Sequence, residues 1–473
     1  MPRLLALLRP LATSALFVGL VVGSGHAEEA APTTVALRPV KLEAPLDIPP
    51  LARRPLGPEA VPAWLGEGAA VEATRTGLKL TSATKRFRRT LLTPKKTQRL
   101  NLGTRKAPRE LLLFAGPEGY EVGVATAWQG TFGKHRLLFL DTDLDGKVTV
   151  GVDCIRWGAG VMRRITSYGL VPIGSASARF TVTPTETGFS ATLTPLPAPK
   201  GNKLQLACLT ACNDVRNRLY GLPPLGLDEA KSLGCQKHAT YLFLNNYDFL
   251  GPWDGVGSHG EKPEAPGYSE DGARAGRLST IGGRGDAALT ARDQSRTMIH
   301  RIAWLGVPDE GLGIGVEARS KNSHVHGYTV VWAPSLPTIN EARPPILVPA
   351  PGARGVALVV AREHPVPDRL PDVYDHGAGM PISVTLGAWS CKDITLRLYR
   401  EGAKAAVHAV EGTLFTPQQP ISKLRKHNEQ SVFFLPTVPL LRDTRYRVVF
   451  DATREDGRDT KLHYVWRFET GDK

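Results

Sequence analysis

Hydrophobic positions along this chain follow two periods. Leu111-Leu112-Leu113-Phe114 and Leu137-Leu138-Phe139-Leu140 are short apolar runs with glycine close by, which suit buried strands. Arg179-Phe180-Thr181-Val182-Thr183 and Phe189-Ser190-Ala191-Thr192-Leu193 are expected to be the arms of a hairpin turning at Thr187-Gly188. From Leu206 the period lengthens: Leu206, Leu209, Val215 and Leu219 fall near helical spacing, and Gly221-Leu222-Pro223-Pro224-Leu225 ends the helix. Asp228 is a good N-cap for a second helix carrying Ala230, Leu233, Cys235, His238, Tyr241 and Leu242. A polar, glycine-rich stretch, Asp254 to Gly285, is too long for a simple connector, and such loops are usually functional or disordered. A further helix is expected over Ala287 to Ile302, then strands at Gly313-Ile314-Gly315-Val316 and Tyr328-Thr329-Val330-Val331-Trp332. Near the end, Leu462, Tyr464, Trp466 and Phe468 alternate with His463, Val465, Arg467 and Glu469, which turns one apolar face inward.

Proline-rich joints divide these patterns. Residues 28–63 read as a proline-rich linker, and two further joints run from Pro195 to Gly201 and from Pro334 to Pro351. Three folded pieces follow: a β-rich piece over 64–196, a helix-and-strand piece over 202–335, and a β piece over 345–473. A chain of 473 residues is long enough for each piece to bury its own core. In the last piece, Leu440-Leu441, Thr444 and Tyr446 with the closing Trp466-Arg467-Phe468 resemble immunoglobulin- or fibronectin-type sandwiches, a class that short strands at close spacing support.

The amino terminus changes the picture of where the chain works. Arg3 and Arg9 flank a leucine-rich start that leads into the apolar run Leu11 to Val22, and Gly25-His26-Ala27 offers small residues where signal peptidase accepts them. Residues 1–27 therefore read as a signal peptide, with the mature chain starting at Glu28 in a secreted, periplasmic or cell-envelope setting. The competing reading is an uncleaved anchor, but the uninterrupted run is shorter than the ~18 residues a span needs, and no second run of spanning length follows. The net charge is +14, and removal of Arg3 and Arg9 leaves 14 − 2 = +12. A basic exported protein meets lipid headgroups or anionic envelope polymers before it meets nucleic acid. The densest charge is Lys85-Arg86-Phe87-Arg88-Arg89, readable as a solvated strand face or loop.

Two sets of residues carry candidate chemistry. Asp141-Thr142-Asp143-Leu144-Asp145-Gly146-Lys147 has carboxylates at alternate positions and glycine at the sharp turn, as calcium loops do. Position twelve is Val152, so the closing acid of an EF-hand is missing, although Asp153 stands one place later. Strands on both sides also speak against a helix-loop-helix unit. Calcium at Asp141, Asp143, Asp145, Lys147 and Asp153 and a plain Asp/Gly-rich turn both remain open. Five cysteines are too few for a disulfide scaffold. Cys208 and Cys212 lie four apart on one helix face, and the expected disulfide joins one of them, Cys212 foremost, to Cys235 in the next helix.

Asn213-Asp214-Val215-Arg216, Gly221-Leu222-Pro223-Pro224-Leu225, Asp228 and Cys235-Gln236-Lys237-His238-Ala239 come in a distinctive order. His259-Gly260-Glu261, Gly267-Tyr268-Ser269, His300-Arg301 and Gly313-Ile314-Gly315 follow. Over about 130 residues this order resembles the CAP superfamily of cysteine-rich secretory, antigen-five and pathogenesis-related proteins, in its bacterial form. The resemblance implies an α/β/α sandwich with a central antiparallel sheet and an open cleft, giving a multidomain α+β chain overall. It also implies cleft histidines at His259 and His300, and with Glu261 they form a candidate zinc-type metal set. The chain departs from the family at Ala275-Gly276-Arg277-Leu278-Ser279, where a Glu-Asn pair is usual, and Arg277 there suits an anion better than a cation. A structural role for both histidines is the competing reading: His259 capping its loop, His300 bonded within its helix.

No HExxH, GxSxG or P-loop signature occurs in the sequence. The leading expectation is a noncatalytic binding protein that takes a lipid or anionic glycan in the CAP-like cleft. A metal-dependent hydrolase using His259, Glu261 and His300 competes with it, as does a purely structural adhesion or scaffold module.

Overall fold

Strands outnumber helices in the computed structural model. The structure describes residues 31–41, 53–56, 70–74, 77–81, 90–92, 98–101, 110–116, 119–249, 256–319, 325–333, 336, 345–363, 377–387, 389–402, 407–421, 430–455 and 459–471. The expected signal peptide and the Lys85–Arg89 cluster lie outside them. Among the described residues the chain is a β-rich multidomain protein with several separate sheets. No helix among them is long and apolar enough to cross a membrane.

In the first piece a four-stranded and a five-stranded sheet face one another across a core that includes Trp128, Phe139, Trp157, Phe180 and Phe189. The expected hairpin forms from Ala176–Thr185 and Gly188–Pro195, with Thr185 paired to Gly188. The expected linker needs correction. Thr33–Ala36 pairs with the hairpin's second arm, and Arg38–Lys41 pairs with Thr126–Phe132 as the edge of the five-stranded sheet. Thr33, Thr34 and Val35 are good strand formers, and Pro39 is tolerated because its strand is an edge.

Among its described residues the middle piece holds four α-helices: α1 (Lys203–Val215), α2 (Glu229–Leu244), α3 (Glu270–Leu278) and α4 (Ala287–Gln294). Asn202 opens α1 by accepting from the Leu204 and Gln205 amides, while the Gln205 side chain reaches back to the Asn202 amide. A π-helical turn, Arg216–Tyr220, carries α1 onward to Gly221, whose φ of 64° ends it in the left-handed region. Asp228 caps α2 as expected, accepting from Lys231 N at 2.9 Å. The helix expected over 287–302 is shorter: α4 stops at Gln294, and a separate 3₁₀ turn spans His300–Leu305.

Between these helices runs an antiparallel sheet in the order Ser279–Gly282, Tyr328–Trp332, Gly313–Glu317. Successive strand residues face opposite ways. Ile314, Val316 and Val331 join one core with Cys208, Leu209 and Cys212 of α1 and Ala287 and Ala291 of α4. Ile281, Tyr328 and Val330 join another with Cys235, Ala239 and Leu242 of α2 and Ala275 of α3. Helices therefore cover both faces of the sheet. Gly315 makes the second contact close, because a Cβ there would lie 2.1 Å from the Cys235 carbonyl carbon.

Among its described residues the last piece forms two four-stranded sheets that share one core, with Val384, Leu398, Val448, Phe450, Trp466 and Phe468 inside it. Tyr446 Oη accepts from Leu441 N at 2.8 Å, tying the turn to the strand that follows. The middle piece is bonded to both neighbours. Asn217 Nδ2 donates to Trp157 O at 3.1 Å, Ala350 N donates to Leu219 O at 2.6 Å, and the buried Arg301 donates to Pro381 O at 2.8 Å.

Candidate functional site

The acidic loop joins the strands His135–Leu140 and Cys154–Trp157, which pair antiparallel, so strands and not helices flank it. One carboxylate oxygen each from Asp141, Asp143 and Asp145 lie within 4.8 Å of one another. Leu144, at φ 59°, and Gly146, at φ 77°, take the left-handed turns that fold the run back on itself. Asp141 Oδ2 accepts from Gly146 N at 3.0 Å and Asp145 Oδ1 from Lys147 N at 2.8 Å. Asp141 Oδ1 and Asp143 Oδ1 are buried without any hydrogen-bond donor. An orphaned buried carboxylate oxygen carries a large desolvation cost unless a cation meets it. Burial first, and the neighbouring Asp153 and Asp143 charges with it, push the Asp141 carboxyl up to about 7.

These oxygens fit a hard divalent cation, for which carboxylate, carbonyl and water oxygens are the usual ligands. Asp141, Asp143 and Asp145 would hold it. Asp153 does not join them as a ligand. Its Oδ1 accepts from Thr142 N at 2.8 Å and its Oδ2 from Thr149 N at 2.7 Å, so it clamps the two ends of the loop from inside. Burial raises this carboxyl as well, to about 6, against the lowering effect of those amides. Lys147 contributes its backbone to the turn and leaves its side chain exposed.

The histidine set has a different fate. Glu261 is enclosed: its Oε1 lies 2.8 Å from His238 Nδ1, with both side chains fully buried, and its Oε2 accepts from Ser269 N at 3.0 Å. His238 Nε2 donates to Ser258 O at 2.8 Å, so both ring nitrogens have partners. Gly272 and Gly276 on α3 make the space, since a Cβ at either would come within 2.5 Å of Glu261 Oε1 or His238 Cε1. His259 is exposed and its Nδ1 donates to Gly276 O at 2.9 Å, while Arg277 projects from the exposed face beside it.

His300 belongs to another contact. Its Nδ1 lies 3.1 Å from Glu363 Oε2 of the last piece, and the two Glu363 oxygens also accept from the Met298, Ile299 and His300 amides. Among the described residues, the one group of three or more ligand-type side chains close enough for a metal is the Asp141 loop. His259, Glu261 and His300 are not brought together, and they do not fit a zinc ion.

The expected disulfide is also corrected. All five cysteines are free thiols. Cys208 and Cys212 face the α1 and α4 side of the sheet, whereas Cys235 faces the opposite side and sits 3.8 Å from Ser279 Oγ. Helix-face spacing alone could not reveal that a sheet stands between them. Burial raises the thiols, Cys212 to about 12 and Cys235 to about 11, which suppresses thiolate chemistry.

Sequence reasoning missed His238 as the partner of Glu261 and Glu363 as the partner of His300. His238 was visible only as a polar residue on an otherwise buried helix face. Glu363, 63 positions from His300, left no local signal.

No family model matches the chain, and no curated protein matches it. Two solved structures of PcoC, a methionine-rich copper resistance protein from Escherichia coli, share a local likeness. One is 19% identical over 20% of this chain and 82% of that chain, at a TM-score of 0.16. The selenomethionine form is 17% identical over 20% and 84%, at 0.15. An overlap of that size and score assigns neither a fold nor a ligand to this chain.

Proposed function

We propose that this chain is an exported, noncatalytic binding protein in which a CAP-type α/β/α sandwich is held between two β-rich units. The Asp141 loop carries calcium as a structural ion. One observation supports the noncatalytic reading: the cleft side chains a hydrolase would use are already bonded into the framework. Glu261 is taken up by His238 and Ser269, and His300 is tied to Glu363. A general base or a metal-held water needs groups that converge on one open point, and this set does not converge. The basic mature chain, with Arg277 on its surface, suits a lipid headgroup or an anionic envelope polymer as partner.

The reading is tested on the exported protein with ester, lipid, peptide and glycan substrates. No turnover is expected, and His259→Ala and His300→Ala should leave that result unchanged. Chelator-sensitive turnover that either substitution abolishes would replace binding with metal-dependent hydrolysis.

A further inference from the structure

A cavity of about 410 Å³ lies where the three pieces meet. Its wall draws on Arg163 and Ile165 from the first piece, Arg216 and Leu222 from the second, and Leu347 and Tyr464 from the third. That volume falls in the range of small-molecule sites, and junctions between domains are where such sites gather. Most of the wall is apolar, but three arginines, Arg163, Arg164 and Arg216, interrupt it.

Arg163 and Arg216 are 5% and 1% exposed, and neither has a carboxylate partner among the described residues. Arg163 Nη2 donates to Leu170 O, while Nη1 is buried with no acceptor. Arg216 Nε donates to Pro223 O at 2.7 Å and Nη1 to Trp304 O at 2.6 Å. Arg164 Nε and Thr166 Oγ1, also in the wall, are buried without partners. Burial first, and the repulsion of Arg216 next, lower Arg163 to about 10. Two neighbouring cations removed from water with no counter-charge are costly, because backbone carbonyls offset only part of the lost hydration. A bound anion would supply the missing charge and acceptors together, with bidentate geometry suited to guanidinium.

We infer that this junctional cavity binds an anionic amphiphile, with a carboxylate or phosphate-ester head at Arg163 and Arg216 and an apolar tail along Ile165, Leu222 and Leu347. The inference deepens the binding reading and rests on it, but it moves the ligand from the cleft to the junction. Its location also joins all three pieces in one site, so ligand and domain arrangement become linked.

The test uses the full mature chain, stripped of bound lipid, with calorimetric titration of decanoate, decyl phosphate, decanol and inorganic phosphate. One equivalent of decanoate or decyl phosphate should bind, more tightly than decanol and more tightly than inorganic phosphate. The better of the two anions identifies the head. Arg163→Met should weaken that binding about tenfold or more, the loss expected for one charged hydrogen-bond pair, and should leave decanol unchanged. Leu347→Trp, which fills the cavity from its wall, should abolish both. Should Arg163→Met fail to fold, Leu347→Trp decides: lost binding supports the site and retained binding overturns it. Absence of binding by both anions, or binding indifferent to both substitutions, overturns the inference. Cleavage of a decanoyl ester would instead contradict the noncatalytic reading while leaving the cavity as the binding site.

Discussion

A carboxylate with no exposed surface persists only when its oxygens are met, and Glu261 satisfies this through His238 Nδ1 and Ser269 N. The pair spans α2 and the loop before α3, so it fastens two segments that the chain separates. Removing one partner strands the other in a fully buried site. Glu261→Ala and His238→Ala should each cost about 1–3 kcal/mol, the penalty for leaving a buried polar partner unsatisfied. The double variant should cost less than the sum, because the two side chains act as a unit. Denaturant unfolding measures all three. Losses of about 0.5 kcal/mol, as at ordinary surface positions, would show that the pair does not hold this region together.

At the scale of elements, the acidic loop is a hairpin connection organised around carboxyls. Burial holds the Asp141 and Asp153 carboxyls up at about 7 and about 6 in the folded chain, above their ordinary 3.8. The unfolded chain therefore gives up these protons first. Without a divalent cation, the first piece should lose stability as pH rises from 3.8 towards about 7. Calcium binds the ionised carboxylates and should reverse that loss, with an affinity in the weak ~10⁻⁴ to 10⁻³ M range because the closing acid is absent. Melting curves across this pH range, with calcium or EDTA, check both statements. Curves that do not respond to calcium or to Asp143→Ala would leave the loop as a turn alone.

The same scale shows what the sequence could and could not reveal. Asn202, Asp228 and Gly221 mark helix ends by local chemistry, and the alternating Leu462 to Phe468 strand forms as read. Helix α3 was hidden inside a glycine-rich stretch because Gly272 and Gly276 lower its helical signal. Those glycines are there for tertiary reasons, to admit Glu261 and His238. Ser269 followed by Glu270 and Asp271 was the available start signal, a capping serine before acids in the first turn. The strands at Thr33–Ala36 and Arg38–Lys41 were masked by prolines that an edge position tolerates. The Asp141 cluster was legible because its carboxylates are sequence neighbours. The His238, Glu363 and Arg163 contacts were not, since each depends on partners brought together only by the fold.

Across the whole molecule, hydrogen bonds hold the middle piece to both neighbours. Glu363 of the last piece accepts from the successive Met298, Ile299 and His300 amides at the start of the 3₁₀ turn and pairs with His300. Arg301 enters the last piece to reach Pro381 O. These contacts serve domain cohesion, and a cavity remains where the three pieces meet. The most direct measurement is metal content of the purified mature protein, for the parent, His259→Ala, His300→Ala and Asp143→Ala. The account predicts zinc far below one equivalent in all four, with calcium retained at millimolar supply by every form except Asp143→Ala. Near-stoichiometric zinc in the parent that is lost in both histidine variants would contradict it.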